Sequence, residues 1–261
     1  MVVGILLMDL IWLAGLIGLA WLSAFTALAC HTALAATSPA LAVALALATA
    51  LLTWILACTA VLFLLPKPKP GKYRLMRDAA FYAWALGFIA RRWLDLPPMG
   101  LLYRQSGVLR FIVLRASGAK IAFTAQMSSD AAVLDPALLT MGAGAMLGSQ
   151  STVTGHFILG DRLILAPIVI HPGAQIAIDV VIGPGATIGT NAVIEARASI
   201  GPESTIGAEA VIGGGVAMGR AVIVGKRARI PMASVVPAKS QIPDGGTWPP
   251  SPTPPSKDAT P

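Results

Sequence analysis

The sequence predicts a molecule in two parts, a pair of apolar helices followed by a parallel β-helix built from six-residue rungs. Two observations carry this prediction. Hydrophobic residues make up 56% of the chain and charged residues only 12%, against about a quarter charged in soluble domains. In the second half, large aliphatic residues recur at every sixth position. The length of 261 residues leaves room for one ordinary domain and an appendage.

The apolar content is concentrated in residues 1–66. Two runs, 3–28 and 40–64, are each long enough to cross a hydrocarbon core of ~30 Å as a helix, and Asp9 is the only formal charge in the segment. Small and turn-forming residues at 31–39 predict a short connecting loop. A cleaved signal peptide is disfavoured because no basic segment precedes the first run, which is also too long. Residues 1–66 are therefore predicted to form two transmembrane helices.

The orientation of this hairpin follows from the placement of its charges. Five basic residues, the last of which is Arg77, lie within residues 67–77, whereas the loop between the spans has no lysine or arginine. The positive-inside bias then predicts that everything after residue 66 is cytoplasmic. The expected location is the bacterial inner (cytoplasmic) membrane, with the β-helix facing the cytoplasm. We expect membrane lipids as partners and no nucleic acid.

Residues 67–116 are predicted to form amphipathic, interfacial helices. Aromatic residues alternate there with arginines, a pattern typical of helices that lie in the headgroup plane. The residues expected at the membrane surface are Arg77, Arg91, Arg92 and Trp93. The compatible alternative is that these helices pack against the soluble domain.

The repeat is the most specific signal and places the β-helix at residues 117–246. Large residues stand six apart without a gap at Ile170, Ile176, Ile182, Ile188, Ile194, Ile200, Ile206, Ile212, Met218, Val224 and Ile230. An α-helix cannot satisfy a period of six, whereas a triangular coil with one inward residue per strand can. Glycine often follows the large residue, and we expect it to supply permissive turn dihedrals.

The repeat also has irregular parts. Its phase slips between Val153 and Ile170, which predicts a projecting loop around residues 154–162. The pattern is expected to end after Val235, and residues 247–261, rich in proline, serine and threonine, are predicted to be a disordered tail.

The rungs I-G-P-G-A-T (182–187) and I-G-T-N-A-V (188–193) resemble those of hexapeptide-repeat acyltransferases, a resemblance that implies a left-handed parallel β-helix. A narrower resemblance covers about residues 65–250, through L-P-K-P-K-P-G-K-Y (65–73), G-A-K-I (118–121), D-P-A-L-L-T-M-G (135–142) and G-H (155–156). These segments are similar to the membrane-linked C-terminal part of epsilon-poly-lysine synthetase and related nonribosomal peptide synthetase-like proteins. Three units of two membrane helices and one repeat domain occur there in tandem. For a single unit, the resemblance implies a homotrimer with active sites between neighbouring subunits.

The resemblance implies a histidine general base, which suits a group whose pKa lies near the operating pH. His156 lies in the phase-slip loop and matches the G-H position; the alternative is a loop histidine that bonds a neighbouring backbone. His31 lies on the far side of the predicted membrane, and His171 replaces a rung glycine at a turn. Relatives often place an acidic residue shortly after this histidine. Here the first carboxylate that follows is Asp161, so either Asp161 or Asp135 is a candidate to orient the imidazole.

The implied donor is a pantetheine thioester on acyl-coenzyme A or on a phosphopantetheinyl carrier protein, used as a co-substrate, with no bound cofactor. The candidate residues for its phosphates are Arg220, Lys226, Arg227 and Arg229. These could equally be a solvated basic face or meet an acidic carrier protein. No metal is expected, because His156 and His171 leave no third cytoplasmic histidine for a His₃ zinc site.

The predicted function is a membrane-bound acyl- or aminoacyltransferase, with amide-bond formation as in nonribosomal peptide synthesis among its possible reactions. Since the chain has no carrier or adenylation domain, a separate carrier or adenylation protein is an expected partner. The alternative is a non-catalytic trimeric membrane scaffold that binds partners. A transport path through the six helices of a trimer is a third hypothesis, but it would need more polar residues in the spans than Asp9.

Overall fold

The computed structural model describes residues 2–249. It divides the chain into two compact units, Met1–Ala119 with Ile158–Ile164, and Lys120–Phe157 with Leu165–Pro261. The helices are α1 (Val2–Leu34), α2 (Pro39–Leu64), α3 (Ala79–Leu94), α4 (Met99–Gln105) and α5 (Gly107–Ala116). The strands are β1 (Gly71–Arg74), β2 (Lys120–Ile121), β3 (Gln126–Met127), β4 (Ala132–Val133), β5 (Leu139–Met141), β6 (Met146–Leu147), β7 (Thr152–Val153), β8 (His156–Leu159), β9 (Arg162–Leu165), β10 (Ile168–Ile170), β11 (Gln175–Ile176), β12 (Val181–Ile182), β13 (Thr187–Ile188), β14 (Val193–Ile194), β15 (Ser199–Ile200), β16 (Thr205–Ile206), β17 (Val211–Ile212), β18 (Ala217–Met218), β19 (Ile223–Val224), β20 (Arg229–Ile230), β21 (Val235–Val236) and β22 (Gln241–Ile242).

The first unit is built on the two long helices α1 and α2. Their apolar parts, Leu6–Leu34 and Pro39–Leu64, contain 29 and 26 residues, with mean hydropathies of 1.9 and 2.4. Only 11% and 28% of their most apolar windows are buried within the chain, and side chains such as Phe63 and Leu64 are exposed. By length and composition, both helices could therefore cross a bilayer.

Helix α3 packs against α1 and α2 through Trp93. The indole N–H of Trp93 donates to the carbonyl of Trp12 at 3.0 Å, and the indole N–H of Trp54 donates to the carbonyl of Trp93 at 2.9 Å. A β-carbon at Gly15 would collide with the Trp93 ring, so glycine admits the indole against α1. Trp93 is 7% exposed. It is therefore a core residue of this unit, and its place at the membrane surface stays a prediction.

The second unit is a solenoid of three parallel sheets with seven, six and six strands. The first sheet has the order β2-β5-β10-β13-β16-β19-β22, the second β3-β6-β11-β14-β17-β20, and the third β4-β7-β12-β15-β18-β21. In the regular part, Ile188 pairs with Ile206, which stands three rungs further along the repeat, so each coil contains three rungs. The eleven large residues of the repeat are all at most 5% exposed and fill the interior. The prediction of a hexapeptide-repeat parallel β-helix is confirmed, and the repeat fits the left-handed form.

The predicted role of the glycines that follow the large residues is wrong. Gly201 and Gly219 are not among the residues with positive φ. The left-handed position instead lies three residues after the large one, at Gly173, Asp179 and every sixth residue up to Gly245. A β-carbon at Gly201 would collide with the carbonyl of Gly219 in the next coil. These glycines are thus needed for the close approach of successive backbones.

The repeat continues beyond Val235, its predicted end. Val236 and Ile242 keep the six-residue spacing and are 1% and 4% exposed, and they lie in β21 and β22. Thr247 then forms a bridge to Arg229, and the backbone N–H of Trp248 donates to the carbonyl of Arg229 at 3.0 Å. Residues 250–261 of the predicted disordered tail lie outside the described residues.

Two insertions interrupt the solenoid, both at the turn from the third sheet to the first, which we call the third corner. Ile121 pairs with Met141, and Met141 pairs in turn with Ile170. In the regular part, paired residues such as Ile188 and Ile206 stand three rungs apart in the sequence. The pairing of Ile121 with Met141 spans two residues more than three rungs, and that of Met141 with Ile170 spans eleven more. The larger insertion falls between Val153 and Ile170, as predicted, and contains the strands β8 and β9.

Candidate active site

The two insertions bring a carboxylate and an imidazole together at the third corner. Strands β4 and β7 are neighbours in the third sheet, with Val133 paired to Val153. Asp135 follows β4 by two residues, and His156 follows β7 by three. Because the two strands run parallel and in register, the segments that leave them start side by side.

The imidazole of His156 is held by Asp135. Nδ1 of His156 lies 2.6 Å from Oδ2 of Asp135, and the backbone N–H of Gly155 donates to the same oxygen at 2.8 Å. The Asp135 side chain is 2% exposed and that of His156 is 20% exposed. A buried carboxylate needs such donors. This hydrogen bond assigns the proton of a neutral imidazole to Nδ1 and leaves Nε2 as an acceptor.

The two residues before His156 explain how the pair is formed. A β-carbon at Gly155 would lie 2.8 Å from Cδ1 of Leu138 and 3.2 Å from Cβ of Asp135. Glycine therefore permits the close approach of the two insertions. The hydroxyl of Thr154 donates to the carbonyl of His156 at 3.1 Å and lies 3.4 Å from its Nδ1. The segment that carries the imidazole is thus held by a hydrogen bond within itself as well as by Asp135.

Of the two predicted carboxylates, only Asp135 contacts the imidazole. Asp161 lies between β8 and β9, belongs to the first unit, is 81% exposed, and is 4.0 Å from Nε of Arg162. The carboxylate that contacts His156 thus comes from the preceding coil, through the pairing of β4 with β7, and not from the residues that follow His156 in the sequence.

The four basic residues predicted for donor phosphates do not form one cluster. Arg220 lies at the third corner, the corner of His156, and forms an ion pair with Glu203 in which Nη2 is 2.8 Å from Oε2. Lys226 and Arg227 lie at the turn from the first sheet to the second, and Arg229 lies in β20 of the second sheet. The backbone N–H of Lys226 donates to Oδ1 of Asp244 at 2.7 Å.

The remaining predicted site residues are spread over the described chain. Arg77 and Arg92 are exposed and Arg91 is half-buried, all three in the first unit. Of the other histidines, His171 is exposed at a turn of the solenoid and His31 is half-buried in the last turn of α1. Neither is a predicted base, and neither belongs to the His156–Asp135 pair.

No family model and no curated protein sequence matches the chain. The chain is a hexapeptide-repeat β-solenoid. It resembles the acetyltransferase domain of PglB from Neisseria gonorrhoeae FA1090 in complex with acetyl coenzyme A, at 16% identity over 55% of this chain and 65% of that chain, with a TM-score of 0.36. It also resembles the hexapeptide-repeat containing acetyltransferase VCA0836 from Vibrio cholerae, at 16% identity over 57% of this chain and 82% of that chain, with a TM-score of 0.28.

A third similar structure is a mutant of perosamine N-acetyltransferase from Caulobacter crescentus in complex with CoA and GDP-perosamine. Its identity is 16% over 57% of this chain and 60% of that chain, with a TM-score of 0.26. The chain thus spans less than two thirds of the length of the first and third of these proteins. Identities and TM-scores this low assign no activity to the chain, and the resemblance to epsilon-poly-lysine synthetase stays a prediction.

Proposed function

We propose that this chain is a membrane-anchored acyltransferase in which His156 is the general base and Asp135 is its positioning residue. The observation that carries the proposal is the 2.6 Å contact from Nδ1 of His156 to a carboxylate that is 2% exposed. A buried carboxylate on one imidazole nitrogen fixes the ring orientation and leaves the other nitrogen to take a proton. It also supplies an acidic partner, which the similar proteins often place shortly after this histidine in the sequence.

The proposed reaction transfers an acyl group from a thioester to a hydroxyl or amine. Nε2 of His156 accepts the proton of the acceptor while the acceptor oxygen or nitrogen attacks the thioester carbonyl carbon. The tetrahedral intermediate then collapses, its carbon–sulfur bond breaks, and the departing sulfur takes the proton from the imidazolium. Asp135 stabilises the transient imidazolium and keeps its proton on Nδ1. No covalent acyl-enzyme is needed.

The proposed donor is a pantetheine thioester on coenzyme A or on a carrier protein. Arg220 is the candidate phosphate ligand that shares the third corner with His156. In the third sheet, β18 comes three strands after β7, a separation of about 14 Å at ~4.8 Å per strand. An extended pantetheine arm can bridge such a distance. Binding there would exchange Glu203 for a phosphate as the partner of Arg220. Lys226, Arg227 and Arg229 are the second candidate group.

The proposed location is a bilayer crossed by α1 and α2, with both ends of the hairpin on the cytoplasmic side. The support is the length and hydropathy of the two helices and the low burial of their apolar side chains within the chain. The basic residues that follow α2 set the proposed orientation. A homotrimer with active sites between subunits remains part of the proposal and rests on the family resemblance.

The test is thioester turnover by the full-length protein in detergent. Acetyl-coenzyme A is the probe donor, lysine and glucosamine are probe acceptors, and free thiol is measured. We expect His156→Ala to lower kcat/KM by about 10²–10⁴-fold, the usual contribution of a general base. His171→Ala is the matched control, because His171 is exposed at a turn outside the pair, and should turn over like wild type. Equal turnover by wild type and His156→Ala would overturn the assignment of the base.

A further inference from the structure

A groove of about 460 Å³ in the first unit is not used by the proposed chemistry. Met8, Asp9 and Trp12 of α1 line one side of it. The other side is a single face of α3, on which Trp84, Phe88 and Arg92 follow one another at intervals of four residues. The rings of Trp84 and Phe88 are stacked with centroids 5.9 Å apart, so this side of the groove has an aromatic surface.

The groove combines these apolar walls with one charge of each sign. Asp9 and Arg92 both line it, and both are exposed. Within residues 2–249, they form no ion pair with each other or with another side chain at 4.0 Å or less. The two charges are therefore available to one ligand that carries both signs.

We propose that this groove binds one phospholipid with a primary-amine headgroup, phosphatidylethanolamine. Arg92 receives the phosphate, Asp9 receives the ammonium, and an acyl chain lies along Trp84 and Phe88. This inference rests on the proposed membrane anchoring of α1 and α2. It is independent of the proposed chemistry at His156.

The position of Asp9 in α1 favours a cationic ligand for its carboxylate. It is the only formal charge in residues 1–66, and a carboxylate within a membrane helix is costly unless it is paired. Asp9 lies three residues after Leu6, where the candidate span begins, or about 4.5 Å along a helix that rises ~1.5 Å per residue. This places it near the level of the headgroups if the bilayer begins at Leu6.

The chemistry of the two charged residues selects among lipids. A primary ammonium donates hydrogen bonds to a carboxylate, which a quaternary ammonium such as that of phosphatidylcholine cannot do. An anionic lipid such as phosphatidylglycerol satisfies Arg92 but brings no cation to Asp9. A phosphate flanked by a primary amine is the headgroup that satisfies both residues.

The experiment uses full-length protein in nanodiscs that contain equal amounts of phosphatidylethanolamine, phosphatidylglycerol and phosphatidylcholine. Native mass spectrometry then counts the lipids that remain bound after release. We expect wild type to retain one phosphatidylethanolamine per chain in preference to the other two. Asp9→Asn should lower that preference at least about tenfold, as expected for the loss of one charge-assisted contact, and Asp9→Glu should keep it. Arg92→Gln should lower retention of phosphatidylethanolamine and phosphatidylglycerol alike.

Arg162→Gln is the matched control, because Arg162 is exposed in the same unit but does not line the groove; it should retain lipid like wild type. Equal retention of the three lipids by wild type, or an unchanged preference in Asp9→Asn, would overturn the lipid site. A protein that leaves the membrane in a carbonate wash without detergent would overturn both the anchoring and the lipid site. His156→Ala should keep the lipid preference, so a failure of the proposed chemistry is seen separately.

Discussion

The two units bring backbones and side chains close together in different ways. In the solenoid, glycines such as Gly201 recur along the repeat, and each allows one coil to lie against the next. In the helical unit, Gly15 admits the ring of Trp93, a residue from a helix much later in the chain. The solenoid therefore repeats one local solution many times, whereas the helical unit depends on particular long-range contacts. We expect the backbone at a contact between coils to have no room to move, whereas the side chain of Trp93 at its contact with Gly15 should be able to adjust.

The largest expected effect on stability is that of Gly201→Ala. Its β-carbon would collide with the carbonyl of Gly219, and backbone in a stacked coil cannot move aside. We expect the free energy of unfolding to fall by more than about 2 kcal/mol. Circular dichroism during denaturant unfolding measures this change. The control Gly214→Ala meets its nearest atom, the carbonyl oxygen of Ala196, only at 3.3 Å and should cost less than about 1 kcal/mol. Equal losses in the two variants would show that coil contact does not select glycine.

In α1, two glycine substitutions are expected to change the stability by smaller amounts and in opposite directions. Gly15→Ala would press on the Trp93 ring, and such overpacking typically costs about 1–3 kcal/mol. Gly18→Ala meets nothing within 4 Å and gains helix propensity, so it should be neutral or stabilising by up to about 1 kcal/mol. Thermal unfolding in detergent, followed by tryptophan fluorescence, measures both. If Gly15→Ala proved as benign as Gly18→Ala, the docking of α3 through Trp93 would be contradicted.

A modest gain in stability is expected at a left-handed corner of the solenoid. Ala221 has φ of 57°, a conformation that costs a residue with a β-carbon roughly 1–2 kcal/mol. Ala221→Gly removes this cost but adds backbone entropy to the unfolded chain, so we expect a net gain below about 1 kcal/mol. The buried Ala228 is the control, since Ala228→Gly removes a packed methyl group and should destabilise. A loss of stability in Ala221→Gly would contradict the corner assignment.

The smallest expected effect depends on pH. Hydrogen bonds donated by Ser128, at 2.6 Å, and by Ser149 hold the pKa of Asp130 at about 2, below its ordinary 3.8. Because the folded pKa is depressed, the stabilisation is present above pH 3.8 and is lost as the pH falls toward 2. Asp130→Asn should therefore lower the melting temperature at pH 6, by an amount that shrinks between pH 4 and pH 2. A difference that does not change with pH would show that this carboxylate is not stabilised by the two serines.

The sequence predicts the solenoid better than the helical unit, because the contacts of the solenoid repeat along the chain and those of the helical unit do not. Each coil repeats the same requirement, so the inward residues from Ile170 to Ile230 are visible as a period of six. The contact between Gly15 and Trp93 occurs once, and no repeated pattern marks it, so the sequence alone does not predict that Trp93 is buried against α1. The predicted role of the glycines is wrong for another reason. Close approach between coils and a left-handed dihedral both favour glycine, so its presence in the sequence does not tell the two apart.

The candidate site likewise has one part that the sequence predicts and another that it does not. The phase slip predicts the insertion that carries His156, since an insertion must interrupt the period. The sequence alone does not choose between Asp135 and Asp161 as the partner of the imidazole, because the choice depends on which residues the coil register brings together. The pairing of β4 with β7 decides it. The groove with Asp9 and Arg92 has no signature in the sequence, since it requires α1 and α3 to share a boundary that neither helix specifies alone.

The most direct test of the central claim is a double-mutant cycle on kcat/KM for thioester turnover, with His156→Ala, Asp135→Asn and the double variant. If Asp135 acts by positioning His156, Asp135→Asn should lower kcat/KM in the wild-type background and should cause no further loss in the His156→Ala background. Losses that multiply in the double variant would contradict a shared role. They would show that the 2.6 Å contact between the two side chains does not serve the reaction.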